Sequence, residues 1–236
     1  MISNKEKKVV IVTGASRGIG KAIKENFEAE GHIVFSFSRN GHNNEYEKKC
    51  DIRSEKEVEL FVDNVLTMQG KIDFLINNAG IVTPGPFSKT NLKDWNNVIA
   101  TNLTGAYLMC KNVLPSMKKK KFGKIVNISS VAARSYSLSA SAEYTASKYA
   151  LIGLTKQLAY EYGKYNININ CICPSQTRTD MLENFLSEDQ ISKIEQSIPL
   201  KKIATPKDIA GIIIFLCSNK SSYMQGSILD VNGGQI

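Results

Sequence analysis

The sequence has little that would anchor the chain in a membrane or cross-link it. Its longest apolar runs, such as IIIFLC at residues 212–217, are far shorter than the roughly 20 residues of a membrane-spanning helix. The N-terminal segment MISNKEKK is polar and lacks the apolar core of a signal peptide. The five cysteines are odd in number and scattered, which predicts buried free thiols in a reducing compartment. We therefore expect a cytoplasmic protein with no membrane association.

Metal-binding and linker patterns are also scarce. Cys171 and Cys173 form CxC, which lacks the usual zinc spacing and has no second ligand pair. We interpret both as core side chains of a strand and expect no metal site. With six prolines, 16 glycines, no repeat and no low-complexity linker in 236 residues, the composition predicts one domain spanning residues 1–236.

The positive charge is concentrated rather than spread. The formal net charge is +8, and much of the excess lies near the N-terminus and at residues 118–121 and 124. Aromatic side chains are not interleaved there as a single-strand binding surface requires. We therefore expect no nucleic-acid partner, and an anionic cofactor or an acidic partner protein explains the charge better.

Short β-branched runs alternate with longer amphipathic segments along the chain. The runs cover residues 9–13, 33–37, 74–77, 124–129, 167–173 and 228–231, and the helical segments 18–30, 55–68, 92–117, 144–162 and 206–216. Apolar strands separated by helices predict an α/β fold, a Rossmann-type doubly wound parallel sheet with helices on both faces. If a short strand occupies residues 46–50, the interval before it is too short for a crossover helix and predicts a loop or single turn.

Residues 13–20 read TGASRGIG directly after the first predicted strand. Glycines there allow backbone amides to approach a pyrophosphate, and the helix that begins there adds positive potential. An ordinary strand–helix turn is the alternative, although the position after the first buried strand favours dinucleotide binding. The second strand ends without the carboxylate of an NAD site. Arg17 and Arg39, unless they are simply solvated, suit a 2′-phosphate and predict NADP(H) over NAD(H).

A second set of polar residues suits acid–base chemistry. Tyr144 and Lys148 form YxxxK in a helical stretch, so the phenol and the ammonium share one helix face. A nearby ammonium lowers the pKa of a tyrosine, which suits a general acid/base. Chance produces YxxxK often, but Ser129 and Ser130 end a predicted strand at the edge where ligands bind in such sheets. Asn102 interrupts a predicted helix, where its side chain or a kinked backbone suits a bound water.

These motifs together resemble the short-chain dehydrogenase/reductase superfamily. TGASRGIG, NNAG at residues 77–80, NLTG at 102–105, the serine before YTASK and the closing VNGG occur in the family's order, over nearly the whole chain. The pattern is most similar to 3-oxoacyl-[acyl-carrier-protein] reductases. The resemblance implies NADP(H)-dependent reduction of a ketone to a secondary alcohol, with a 3-oxoacyl thioester of fatty acid biosynthesis as substrate. A dehydrogenase of a sugar, polyol or other small secondary alcohol, or a non-catalytic dinucleotide-binding regulator, are the alternatives.

The resemblance also implies residue roles. Tyr144 would exchange a proton with the substrate oxygen, and Ser130 would hydrogen-bond that oxygen. Lys148 would hold the nicotinamide ribose and lower the pKa of Tyr144, while Asn102 would anchor a water that relays protons. Asp51 and Ile52 would contact adenine, and Thr177 the nicotinamide carboxamide. The implied cofactor-binding set is Gly14, Ser16, Arg17, Gly18, Ile19, Gly20, Arg39, Asp51, Ile52, Asn78, Ala79, Gly80, Tyr144, Lys148 and Thr177.

Three features depart from the family pattern. Ser175 stands where the family often has glycine after a proline. Ser130 lies one residue farther from Tyr144 than the family serine does, which indicates an insertion within residues 134–143, with Ser129 and Ser135 as weaker candidates. The short interval after Arg39 trims the usual second helix.

Substrate and partner predictions rest on less distinctive segments. Residues 177–197 predict either a mobile helical lid, with Met181, Leu182, Phe185 and Leu186 as its apolar face, or a packed surface helix. In carrier-protein reductases, basic residues at the active-site rim dock the acidic carrier. Lys121 matches one such position, with residues 118–120 beside it, whereas Tyr165, next to Lys164, occupies the second. A solvated helix end is the alternative interpretation.

The resemblance further implies a homotetramer. The helices at residues 92–117 and 144–162 would pair across one interface, and the last strand with its helix across another. Apolar residues cover more of the second helix than one buried face needs, which agrees with an interface.

Overall fold

The alternating strands and helices build one parallel sheet. The computed structural model describes residues 6–39, 44–137, 140–184 and 186–236. Within these ranges the strands are β1 (Val9–Thr13), β2 (Ile33–Ser38), β3 (Glu47–Lys49), β4 (Phe74–Asn77), β5 (Gly123–Ile128), β6 (Ile167–Pro174) and β7 (Ile228–Val231). Their order is β3-β2-β1-β4-β5-β6-β7, and every neighbouring pair is parallel. The predicted Rossmann-type doubly wound fold is confirmed.

Two hydrophobic cores cover the two faces of the sheet. In β1, Val9 and Ile11 face one core, whereas Val10 and Val12 face the other, as the period of two in a strand requires. The helices of the described chain are α1 (Gly18–Ala29), α2 (Glu55–Gln69), α3 (Leu92–Ile99), α4 (Gly105–Lys120), α5 (Ala142–Tyr162), α6 (Asp180–Glu183), α7 (Glu188–Ser197) and α8 (Pro206–Cys217). Residues of α2 and α4 pack in the first core, and residues of α1 and α8 in the second.

The helix ends follow local sequence signals. The Ser54 hydroxyl caps α2 by accepting from Glu57 N, and Gly70 ends the helix in the left-handed region. Thr205 and Asp208 form a capping box at α8, with Pro206 at its first position. In contrast, α1 has neither a side-chain cap nor an acidic residue in its first turn. Its first amides are therefore available to a ligand.

The helix predicted over residues 92–117 is wrong as a single element. The structure divides it into α3, a π turn at Ala100–Thr104 and α4. Gly105 N donates to Ala100 O, five residues back, so the turn is wider than an α-helical one. The prediction of a short strand at residues 46–50 agrees with β3, whereas residues 40–43 of the predicted loop lie outside the described residues.

Other sequence-based expectations concern composition. All five cysteines are buried and free, and Cys171 and Cys173 lie inside β6 as predicted. In the described ranges no helix combines the length and apolarity that crossing a membrane requires. No group of three or more His, Cys, Asp or Glu residues suited to a metal ion occurs in that same part of the chain.

Candidate active site

A cavity of about 560 Å³ opens at the carboxyl ends of the central strands. Of the candidate site residues, only Asn102 does not line it. The lining includes Gly14, Ser16, Arg17, Gly18, Ile19, Gly20, Arg39, Asp51, Ile52, Asn78, Ala79, Gly80, Ser130, Tyr144, Lys148 and Thr177. The structure thus brings the two predicted sets of residues, for the cofactor and for catalysis, into one continuous site.

The glycine-rich turn between β1 and α1 is shaped for close approach. Gly14 and Gly18 have φ values of +66° and +56°, which a side chain would strain. At Gly20 a Cβ atom would collide with the Gly14 carbonyl oxygen and with Asn78 Nδ2. Asn78 Nδ2 donates to Thr13 O at 2.8 Å and thereby ties the turn to the end of β4. The turn is consequently fixed in its open shape.

The site fits a dinucleotide. The free N–H groups at the start of α1 and the helix dipole favour a pyrophosphate, and no acidic residue in the first turn opposes it. The cavity extends from Arg39, which follows β2, to Tyr144. Gly14–Gly20 would hold the phosphates, Asp51 and Ile52 the adenosine end, and Asn78–Gly80 the middle of the cofactor.

Three arginines line the adenosine end of the cavity, but they differ in availability. Arg53 Nε donates to the Asp51 carboxylate at 2.9 Å. This interaction is the main reason why the pKa of Asp51 lies below its usual value. Arg17 and Arg39 are exposed and, within the described part of the chain, have no ion-pair partner. Arg17 and Arg39 thus line the cavity without a salt bridge to any described residue.

Tyr144 and Ser130 meet at the other end of the cavity. Both are half-buried, and the Ser130 hydroxyl hydrogen-bonds Tyr144, which favours the phenolate. Burial has the larger effect, however, and raises the pKa of Tyr144 above its ordinary value. The expectation that Lys148 lowers this pKa is therefore wrong for the chain by itself. The Lys148 ammonium lies 5.6 Å from the centre of the Tyr144 ring and donates to Ile128 O at 2.8 Å, away from the phenol.

Lys148 and Asn102 lie behind Gly80. Burial lowers the pKa of Lys148 to about 8. A Cβ atom on Gly80 would lie 3.4 Å from Asn102 Oδ1 and 3.5 Å from Lys148 Nζ, so both polar groups border the same small space. The Asn102 side chain itself bonds Ile81 N and Ile81 O, at 2.8 and 2.9 Å. Of the two predicted ways to hold a water, the kinked backbone of the π turn is the one the geometry leaves open.

The three candidate serines occupy different environments. Ser129 is buried and donates to Lys148 O at 2.8 Å, so it fixes α5 rather than facing Tyr144. Ser130 contacts Tyr144 despite the inserted residue. Ser135 lies in the following loop, where its carbonyl accepts from Tyr149 Oη at 3.1 Å. The same loop is fixed by the Arg134–Asp230 ion pair at 2.8 Å. Residues 138–139, which belong to the stretch 134–143 that contains the inserted residue, lie outside the described residues.

Several residues that line the cavity belong to none of the sequence motifs. Thr179 packs over the phosphate turn, because a Cβ on Gly18 would lie 3.2 Å from Thr179 Cγ2. Gln176, Gln235 and Tyr136 line the same cavity as Tyr144. Thr179 lies within residues 177–197, the segment predicted to cover the site, so its hydroxyl group could have marked it as a candidate. The two glutamines and Tyr136 carry no motif.

The predicted lid has a small core of its own. Leu182 and Leu186 pack with Ile191, Ile198 and Ile203, and both leucines also line the cavity. Phe185 and the Met181 side chain lie outside the described residues. The segment therefore combines the two sequence-based interpretations: a packed helical unit that also covers the site.

The lysine run does not lie at the rim of this chain's own cavity. It ends α4 at the amino end of β5, whereas the cavity lies at the carboxyl ends, and six residues of strand span about 20 Å. Lys120 is also occupied, since its ammonium donates to Asp73 Oδ1 at 2.6 Å. Lys118 and Lys164 both lie over the Tyr165 ring, at 4.7 and 5.4 Å. One chain by itself therefore does not bring the lysines of the predicted docking site to its own cavity.

The sequence is similar to known oxidoreductases over nearly its whole length. A family model described as enoyl-(acyl carrier protein) reductase matches residues 14–235. The chain is 36% identical to the 3-oxoacyl-[acyl-carrier-protein] reductase of Aquifex aeolicus, over 96% of each chain. It is 34% identical to the protein of that description from Escherichia coli, over 98% of each chain.

Two solved structures are also similar over nearly the whole chain. The ligand-free aldohexose dehydrogenase of Thermoplasma acidophilum is 35% identical, with a TM-score of 0.91 over 98% of this chain and 94% of that chain. A structure described as ElxO with NADP bound is 30% identical, with a TM-score of 0.90 over 98% of this chain and 99% of that chain.

Proposed function

This chain belongs to the short-chain dehydrogenase/reductase superfamily and is an oxidoreductase that acts on CH–OH groups, and we propose that it reduces the ketone of a 3-oxoacyl thioester with NADPH. The observation that carries the proposal is the meeting of Tyr144 and Ser130 at one end of a cavity whose other end suits a dinucleotide. The curated relatives named for 3-oxoacyl reduction support the choice of substrate. Residues 1–236 would act as one catalytic domain, and the free buried thiols suit a reducing cytoplasm.

The preference for NADP(H) rests on charge. Arg17 and Arg39 are exposed beside the adenosine end of the cavity, whereas Asp51, the acid that lines it there, is engaged by Arg53. A 2′-phosphate would form charge-assisted hydrogen bonds with the two free guanidinium groups. The NADP-bound structural relative supports this preference.

The chain's own residues would divide the chemistry as follows. A bound nicotinamide would supply the hydride that the carbonyl carbon receives. Ser130 donates a hydrogen bond to the carbonyl oxygen, and Tyr144 delivers a proton to it as negative charge develops. Lys148, whose pKa is about 8, is poised to exchange a proton near neutral pH. The π turn at Asn102 would offer a backbone carbonyl to a water that relays protons to Lys148.

A sugar or polyol dehydrogenase is the second candidate. It is favoured by the similarity to an aldohexose dehydrogenase. This chain is 35% identical to that protein and 36% identical to the 3-oxoacyl-[acyl-carrier-protein] reductase of Aquifex aeolicus. The catalytic residues would be the same, because both reactions interconvert a carbonyl and a secondary alcohol. The two candidates differ only in what the distal part of the cavity binds.

A homotetramer would bring the lysine run into use. In α5, Tyr149 is 46% exposed and Tyr160 is 86% exposed, and Tyr107 of α4 is 46% exposed. If α4 and α5 pair with a second copy about a twofold axis, their ends are antiparallel. The carboxyl-terminal lysines of one subunit then lie towards the Tyr144 end of the other. An acidic acyl carrier protein would dock there.

A panel of substrates tests the proposed function. Consumption of NADPH would be followed with acetoacetyl thioesters, simple ketones and an enoyl thioester, and formation of NADPH with aldohexoses and NADP⁺. We expect the highest kcat/KM with an acetoacetyl thioester. Faster oxidation of an aldohexose would transfer the assignment to the second candidate, and turnover of the enoyl thioester alone would contradict both.

A further inference from the structure

Two glutamines that line the cavity have side-chain oxygens without hydrogen-bond partners among the described residues. Gln176 Oε1 and Gln235 Oε1 are both buried from solvent, and neither accepts a hydrogen bond from any residue that the structure describes. Both side chains line the cavity that also contains Tyr144. Buried polar atoms in native proteins are nearly always hydrogen-bonded, so an exception within a ligand site calls for a functional reason.

The fold brings the two glutamines together from distant parts of the sequence. Strands β6 and β7 are neighbours, with Pro174 paired to Val231, and Ser175 N donates to Val231 O at 3.0 Å. The segments after both strands therefore leave the sheet side by side. The turn at Asn232, in which Gln235 N donates to Asn232 O at 3.2 Å, fixes the direction of the second segment.

The two amide groups share the cavity with an apolar wall. Leu182 and Leu186 supply an apolar wall on the lid side. A purely apolar pocket would suit a plain alkyl ketone. Two buried amide oxygens without hydrogen-bond partners are unfavourable in such a pocket, so they indicate a ligand that carries a hydrogen-bond donor. An amide oxygen accepts from O–H or N–H groups, and because its two ends exchange by rotation about the last bond, the N–H₂ end is also available.

We infer that Gln176 and Gln235 form a substrate-selecting pair, which accepts a hydrogen bond from an O–H or N–H group of the ketone substrate. The inference rests on the proposed function and specifies the substrate class further. Two kinds of substrate carry such a donor. One is a hydroxyketone or sugar, with its O–H group, and the other is a thioester whose thiol part contains an amide N–H group.

Matched substrate pairs test the selecting pair. Hydroxyacetone is compared with butanone, which has a methyl group in place of the hydroxyl. Acetoacetyl-N-acetylcysteamine is compared with the S-butyl thioester, which lacks the amide. We expect kcat/KM to favour the donor-bearing member of at least one pair by about tenfold or more, since a site built to bind a donor rejects analogues without it. Preference in the first pair assigns the O–H source, and preference in the second assigns the N–H source.

Methionine variants then assign the preference to the two residues. Gln176→Met and Gln235→Met keep side-chain length but remove the amide. Each is expected to reduce the preference to about threefold or less, with less than about twofold change for the substrates without a donor. Gln157→Met, on the exposed side of α5, is the matched control and should leave the preference intact. Equal loss for both members of a pair, or full preference in the double variant, would overturn the inference.

Thermal unfolding separates a substrate role from a structural one. Because the two amide oxygens have no partners in the described chain, the methionine variants should unfold at the same temperature as the parent or above it. A fall of several degrees would show that the amides hold the fold and would overturn the inference. Turnover of all four ketones without preference overturns the inference alone. No turnover of any of them, with NADPH binding intact, overturns the proposed function as well.

Discussion

Lys148 is held in the site at a cost to the free energy of folding. Its ammonium is buried and donates to a backbone carbonyl, Ile128 O, rather than to a carboxylate. Burial lowers its pKa from 10.5 to about 8. In the unfolded chain the group stays protonated up to about pH 10.5, so the folded state is penalised below that pH.

Replacing this lysine should therefore separate stability from activity. Lys148→Met is expected to raise the free energy of unfolding at pH 7 by up to about 3 kcal/mol, while turnover is lost. The unfolded chain binds the extra proton between pH 8 and 10.5, so the advantage should shrink as the pH rises through that window. Denaturant unfolding of both proteins at several pH values measures this. A variant less stable than the parent at pH 7 would contradict the burial argument.

Cofactor preference is a second property of single residues. Arg39→Asp removes one free guanidinium group and places a carboxylate beside the 2′-phosphate. We expect kcat/KM with NADPH to fall about 10- to 100-fold, as loss of a charge-assisted hydrogen bond predicts, and the preference to change to NADH. Lys56→Asp, an exposed residue of α2 with the same change of charge, is the control. Equal kinetics of the parent with NADH and NADPH would refute the preference.

For single residues, the sequence predicts those site residues that belong to a recognisable motif. The glycines of the phosphate turn, Ser130 and Tyr144 were found because backbone geometry or proton chemistry restricts the residue type. Gln176 and Gln235 were not, because a glutamine in a loop has no pattern. Only the pairing of β6 with β7 brings them together. The expectation for the pKa of Tyr144 failed because burial, which a motif does not reveal, raises that pKa, and because the Lys148 ammonium donates to Ile128 O.

Among the elements, the strands were easier to predict than the long helix. Every predicted strand exists, because near-continuous apolar runs identify buried parallel strands. The segment at residues 92–117 satisfied helical periodicity throughout, yet it contains the π turn at Ala100–Thr104. One extra residue in a turn hardly alters a periodicity of 3.6, and only the buried Asn102 signalled it.

The junction of β1 and α1 gives a prediction for an element. Gly20→Ala should lower stability by about 1–3 kcal/mol and NADPH affinity by about tenfold or more, since its Cβ meets the backbone oxygen of Gly14, which cannot move without opening the turn. Gly211→Ala in α8 is the matched control. Nothing lies within 4 Å of its added Cβ, so helix propensity should make it up to about 1 kcal/mol more stable. Thermal unfolding and NADPH titration measure both, and intact NADPH affinity in Gly20→Ala would contradict the assigned phosphate site.

For the whole molecule, the sequence predicted the layers but not which edge of the sheet each segment reaches. The lysine run is at the amino edge, so it serves the proposed carrier docking only across a subunit interface. Lys121→Glu should then raise KM for a carrier-bound 3-oxoacyl substrate by about tenfold at low salt, and the effect should fade at high salt as charges are screened over about 8–10 Å. KM for the N-acetylcysteamine thioester should stay unchanged. A monomer in sedimentation, or the same rise for both substrates, would contradict docking in trans.

The central claim is that this site transfers hydride from NADPH to a ketone with Tyr144 as proton donor. The most direct measurement uses NADPH deuterated at its transferable position and an acetoacetyl thioester, with the alcohol product analysed by mass spectrometry. We predict one deuterium on the carbinol carbon for each NADPH consumed. In Tyr144→Phe the rate should fall about 10²- to 10⁴-fold while NADPH still binds, and the exposed Tyr160→Phe should match the parent. NADPH binding without deuterium in any alcohol, or undiminished transfer by Tyr144→Phe, would contradict the account.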